Sequence, residues 1–198
     1  MGPAMLRPAL WYALPHWRLP VMHASGRPAP SEHVPYFERY IALVPGEDAM
    51  PLLAAQPATF RRALGGLSPE QAGFRYADGK WSIREVIGHI VDGERAFGYR
   101  ALGVARDPKQ ALPGFDENEF ARTAGHDAVP LGELLDEFDS VRAGTILFFR
   151  HLPAEAWLRV GTANSNPISV RAIAFIAAGH AEHHLRLLYD RYRVPRPA

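Results

Sequence analysis

AFIAAGHAEHHLRLLYDRY, residues 174–192, sets His180 and His184 four residues apart, one helical turn and one face. That face also carries Ile173, Ile176, Ala177, Leu187 and Leu188. A helix with such a stripe turns it inward, so both imidazoles project into a core. An inward imidazole pair without partners is costly to bury, whereas a metal ion satisfies both nitrogens at once. The bland alternative is a hydrogen-bonded core pair, and spacing alone leaves the two open. His183 is rotated off the stripe, beside Phe175, Gly179 and Arg186, and reads as a flanking or supporting group. Ala181 stands where the HExxH zinc-protease motif requires glutamate, so that motif is absent and Glu182 points elsewhere.

Three further helical segments precede this one. The spacing of Leu52, Leu53, Gln56, Phe60, Ala63, Leu64 and Leu67 predicts a helix over 48–67, ended by Gly65 and Gly66. Pro57 either kinks it or begins it as a first-turn proline. SIRE, Ser82 to Glu85, fits a capping box and opens a second helix that ends before Pro108. Leu131, Leu134, Leu135, Phe138, Val141, Phe148 and Leu152 mark a third helix over 131–151, closed by Pro153. Ser169 caps the fourth, which runs to Arg193. No period-two strand is evident, and GTANSNP (161–167) and GFDENEF (114–120) are composed like turns. The expected fold is therefore all-α, a four-helix bundle over 36–198, with an irregular, weakly ordered extension over 1–35. The connection DPKQALPGFDENEFARTAGHDAVP (107–130) is long enough to recross a helix of about 30 Å. An up-down-down-up topology is thus allowed.

Composition narrows the chemistry. The 22 lysines and arginines nearly balance 21 acidic residues, for a formal charge of +1, which gives no footing for nucleic-acid binding. Cysteine is absent, so a metal site here must use histidine and carboxylate. No apolar run approaches the roughly 20 residues of a membrane span. The N-terminal apolar stretch is broken by Pro3, Pro8, Pro15 and Pro20, unlike a signal peptide. A cytoplasmic protein is expected, and Met22 is an alternative start.

Of nine histidines, His16, His23 and His33 fall in the leader, His126 in the long connection and His151 at a helix end. His89 lies mid-helix on a face with Val86, Gly93 and Ala96, where small residues leave room. With His180 and His184 it would make three neutral nitrogen donors, leaving positions open for water or substrate, the mark of a catalytic site. Asp92 and Glu182 are candidate bases or supporting groups, or simply solvated helix carboxylates. Trp81, Tyr99 and Trp157 read as core or pocket wall.

KWSIREVIGHIVDGERAFGYRALGVAR (80–106), LPGFDENEF (112–120) and GHAEHHLRLLYDRY (179–192) together resemble the DinB-like (DinB/YfiT-like) superfamily of metalloenzymes, over about residues 36–193. The resemblance implies an up-down-down-up four-helix bundle, frequently a homodimer. It implies one divalent metal ion, commonly zinc or nickel, on a histidine of the second helix and an i,i+4 pair of the fourth. Those positions match His89, His180 and His184. The leader has no counterpart in the family pattern, and Pro57 interrupts a helix that the fold needs.

The family includes transferases and isomerases that use low-molecular-weight thiols. The leading expectation is a thiol S-transferase in which the open metal position holds a cosubstrate thiol as thiolate and lowers its pKa. Metal-assisted hydrolysis is the alternative, with an activated water in that position. A metal-binding stress-response module without turnover is the third. The expected partner is a small molecule, with no nucleic acid and no membrane.

Overall fold

Ser82 Oγ accepts a hydrogen bond from the Glu85 amide at 3.1 Å, while the Ser82 amide donates to the Glu85 carboxylate at 2.8 Å. This reciprocal box is the one the sequence predicts, and it opens a 24-residue helix. The computed structural model describes residues 26–196. In chain order the elements are α1 (Glu38–Ile41), α2 (Met50–Leu64), α3 (Pro69–Ala72), α4 (Ile83–Arg106), β1 (Ala111–Leu112), α5 (Glu117–Ala124), α6 (Leu131–Arg150), α7 (Ala154–Trp157), β2 (Val160–Ala163), β3 (Asn166–Ser169) and α8 (Val170–Arg191). Ser169 caps α8 as expected, its Oγ accepting from the Ala172 amide at 3.0 Å.

The helices α2, α4, α6 and α8 form the bundle, and their direction can be read from what they bury. One apolar cluster takes Met50 and Leu53 from the start of α2, Phe97 and Val104 from the end of α4, Phe149 from the end of α6, and Val170 to Ala178 from the start of α8. A second cluster takes Phe60 and Leu64, then Ile83 and Ile87, then Leu131 and Leu134, then Leu185 and Leu188. Helices α2 and α8 therefore run one way and α4 and α6 the other, which is up-down-down-up. Buried polar residues lie where the clusters meet: Gln56, His89, Glu94, Arg142, His180 and His184.

Pro57 neither kinks α2 into two helices nor starts it; α2 runs through it. Proline has no N–H to offer the carbonyl four residues earlier. That carbonyl, Leu53 O, instead accepts from Arg142 Nη1 at 3.4 Å. The fully buried Arg142 thus supplies the donor that Pro57 lacks.

Strands are present where none was expected. Among the described residues a three-stranded sheet has the order β1-β2-β3, β1 parallel to β2 and β2 antiparallel to β3. GTANSNP is the hairpin between β2 and β3, with Asn164 and Ser165 both at positive φ, 50° and 61°. Positive φ at both central residues is what a type I′ hairpin turn requires. Strands of two to four residues are too short to show a period of two, which is why composition alone suggested turns. GFDENEF opens α5, and Asp116 caps it through Oδ1, which accepts from the Asn118 and Glu119 amides.

Residues 1–25, including His16, His23 and Met22, lie outside the described residues, and with them most of the extension expected over 1–35. Its last ten residues are held firmly to the bundle. Glu32 is buried, accepts from Ser169 Oγ at 2.6 Å and pairs with Arg171, whose Nε donates at 2.7 Å. Burial pushes the Glu32 carboxyl up, but the hydrogen bonds from Arg171, Ser169 and the Ala29 region outweigh it and hold it down at about 2. Arg27 donates to the carbonyls of Ile41, Val44 and Gly46. Short α1 lies across α8 at Gly179, where a Cβ would come within 2.0 Å of the Tyr40 carbonyl oxygen. Only glycine admits that approach. No described helix is long and apolar enough to cross a membrane.

Candidate metal centre

Antiparallel α4 and α8 bring His89 opposite the His180/His184 turn. His180 Nε2 lies 2.9 Å from His89 Nε2 and 3.2 Å from His184 Nε2. One donor atom from each ring falls within a 4.8 Å cluster, and all three residues are buried. A single Nε2 can donate one proton or accept one, so His180 can make a good hydrogen bond to only one of its two neighbours. His184 Nδ1 is also buried without a partner among the described residues. The donor set, three convergent neutral nitrogens, suits one divalent ion and could hold it.

The electrostatics keep these rings neutral. Burial pulls His89 down to about 4, helped by nearby His126 and His183. Burial likewise holds His180 and His184 well below the ordinary histidine range; nearby His184 and His89 add to it at His180, and His89 and His183 at His184. Neutral imidazoles carry the lone pairs that a metal needs. Aromatic rings fix the orientation: Trp81 packs on His89 with ring centroids 4.7 Å apart, while Tyr40 and Phe97 meet His180 edge-on at 5.4 and 5.5 Å. Gly93 provides the space, though against His180 rather than His89; a Cβ there would sit 3.1 Å from His180 Cε1.

His89 and His180 form part of the wall of a cavity of about 290 Å³, and His184 stands behind them. The rest of the wall comes from the 34–40 segment, α4, Phe115 and Glu117, and the β2–β3 hairpin with Asn164 and Asn166. The supporting groups expected from the sequence divide. His183 is half-buried and packs on Tyr40 and His184, close to the cluster but outside the cavity wall. Asp92 faces Arg95 and the His126 ring, whose Nε2 is 3.9 Å away, and does not line the cavity. Glu182 pairs with Arg186 at 2.9 Å on the helix exterior. Neither carboxylate is placed to act as a base in the cavity. Their positions, three residues from His89 and two from both His180 and His184, do not tell which side of the helix faces the chamber.

Sequence reasoning missed Tyr40 and Arg100 as wall residues, and set His126 aside although it is buried against Gly88. Tyr40 held a signal in the packing-competent YFERYIAL run; Arg100 had one in its spacing from His89, Gly93 and Phe97 along one helix face. Of the aromatics expected as wall or core, Trp81 and Trp157 fit, whereas Tyr99 is exposed.

A family model described as the DinB superfamily matches residues 52–188. A protein of Geobacillus kaustophilus (strain HTA426) named as a candidate metal-dependent hydrolase is 29% identical over 133 residues, 65% of this chain and 73% of the relative. Among solved structures, YfiT from Bacillus subtilis, described as a probable metal-dependent hydrolase with an unusual four-helix bundle topology, superposes with a TM-score of 0.68. The match has 17% identity and covers 84% of this chain and 91% of that one. A mycothiol-dependent maleylpyruvate isomerase gives a TM-score of 0.57 at 14% identity, covering 69% of this chain and 58% of that one. At such identities the two structures speak for the fold.

Proposed function

The chain belongs to the DinB superfamily, and from that premise we propose that it is a metal-dependent hydrolase with its ion on His89, His180 and His184. The observation that carries this reading is the convergence of three neutral, buried imidazoles, two of which line the wall of a cavity of about 290 Å³. The name borne by the Geobacillus relative supports it. A divalent ion on three imidazoles, with coordination positions left free, supplies Lewis acidity and activates water at neutral pH.

The chain's own residues set the conditions for that chemistry. Burial keeps the three imidazoles unprotonated, and Trp81, Phe97 and Tyr40 hold them in place. Gly93 keeps the cavity open beside His180. Burial, then its hydroxyl neighbour Tyr36, raises the Tyr40 phenol far above its ordinary range. Tyr40 thus remains a neutral O–H donor on the cavity wall.

The thiol S-transferase is the second reading. It uses the same histidines, and a chain without cysteine would draw its sulfur from a cosubstrate. The fold likeness to the mycothiol-dependent isomerase makes the scaffold compatible with it. A screen of ester and amide substrates on zinc- and nickel-loaded protein, with and without added thiol, divides the two. Turnover without thiol that disappears in His180→Ala is expected. Turnover only with thiol would replace hydrolysis by transfer, and metal binding without any turnover would leave the module.

A further inference from the structure

Two arginines are buried among the described residues, and they differ in company. Arg142, fully buried, is matched by Glu94 and Gln56. Arg100, with 8% of its surface exposed, has no carboxylate beside it among the described residues. Its one hydrogen bond there runs from Nη2 to the Pro113 carbonyl at 3.4 Å, and its guanidinium lies 5.2 Å from the Phe115 ring centre. Burial alone pulls it below its ordinary range. A desolvated guanidinium keeps most of its donor fork unused, and that fork is shaped for a bidentate carboxylate or phosphate.

Its position on α4 gives the fork a purpose. His89, Gly93, Phe97 and Arg100 follow at spacings of four, four and three, hence on one face, and all four line the same cavity. Eleven residues separate the histidine from the arginine, about 16 Å along the helix axis. Phe97, which lies between them on the helix, joins Phe115 and Ile168 in giving the wall an apolar stretch. Glu117 is the acidic residue of the wall; it sits exposed at the rim, where solvent screens it.

We infer that Arg100 anchors an anionic end of the substrate, a carboxylate or a phosphate monoester, while the substrate's apolar body lies over Phe97 and its reacting end reaches His89 and His180. The inference rests on the cavity being the substrate chamber of the proposed hydrolase. It narrows the substrate class to elongated anions with an apolar body.

The test is equilibrium binding to the full chain, with and without zinc, using hexanoate, butyl phosphate and neutral hexanamide as probes. Wild-type protein is expected to bind one of the two anions at least tenfold more tightly than hexanamide, and the preferred anion identifies the headgroup. Arg100→Gln should abolish that preference and leave hexanamide binding unchanged. Arg100→Lys, which keeps the charge and the fold but not the fork, should reduce it severalfold. The preference should survive in His180→Ala without zinc. An anion preference that persists in both Arg100 variants, or one seen only with zinc bound, overturns the inference. Wild-type protein that shows the Arg100-dependent preference but binds no zinc would instead overturn the hydrolase reading.

Discussion

The polar layer across this bundle has two sides built on opposite rules. On one side Arg142 Nη2 donates to Glu94 at 3.0 Å, Nη1 donates to Gln56 Oε1 at 2.6 Å, and Gln56 Nε2 donates to the Ala178 carbonyl at 2.7 Å. Charge meets charge, and helices α2, α4, α6 and α8 are tied together. On the other side three imidazoles converge through Nε2 atoms that cannot all be paired with one another at once. Both sides are buried at the same level, so burial does not separate structure from function here. Completeness does: a polar group whose partners are all present in the chain holds the fold, and one whose partner is missing is set for a ligand.

The strongest way to break this comparison is at Arg142. Arg142→Leu strands the Glu94 carboxylate in the core and frees the Leu53 carbonyl beside Pro57. Breaking a buried pair in this way costs about 3–5 kcal/mol, read from the urea midpoint, and the double variant with Glu94→Leu should regain part of it. A loss under 1 kcal/mol would erase the distinction between the two sides.

The histidine side should respond to metal instead. Zinc at a hundredfold excess over its dissociation constant is expected to stabilise wild-type protein by about 2.7 kcal/mol, and a chelator should remove the gain. His180→Ala should show no gain, while its metal-free form loses less than half of what Arg142→Leu loses. Differential scanning with and without chelator measures both.

These two predictions draw on signals of very different legibility. The four helices, their caps at Ser82 and Ser169, and the inward His180/His184 pair were readable because helical period and capping are local. Arg142 was not, because an arginine on an apolar face looks like a boundary residue until its partners, 48 and 86 positions away, are known. The hairpin was too short to show a period. His89 needed the family resemblance, since one histidine on one helix carries no geometry.

Acid offers a finer comparison. The His89 pKa is about 4 in the fold against an ordinary value of 6.5. Between these the unfolded chain takes the proton and the folded one does not, so the share of metal-free stability tied to His89 should be lost as pH drops from about 6.5 to 4, with His180 and His184, held lower still, adding to the fall. Glu32 behaves in a separate window: its contribution is complete above the unfolded value of 4.5 and is lost as pH falls toward 2. Melting curves of wild type and His89→Ala from pH 7.5 to 4.5 check the first window, in which the variant should show a shallower fall than wild type. A wild-type curve that is already flat would contradict the buried neutral cluster.

The smallest effect is expected at Gly93→Ala. The added methyl meets His180 Cε1 at 3.1 Å, so zinc affinity should weaken a few-fold. Helix propensity favours alanine by roughly 1 kcal/mol, which offsets the crowding and leaves the melting temperature close to wild type. Unchanged affinity in a zinc titration would place the ion away from His180.

The close crossing at Gly179 has a practical consequence for where a working protein may be cut. The family match begins at residue 52, yet Val34, Tyr36, Phe37 and Tyr40 wall the chamber, and Glu32 and Arg27 pin that wall in place. The stretch that the family model matches is thus shorter than the stretch that walls the cavity. A fragment trimmed to the matched residues would keep its three histidines and open their chamber along one side to bulk water. It would test as a competent metal binder and a poor enzyme.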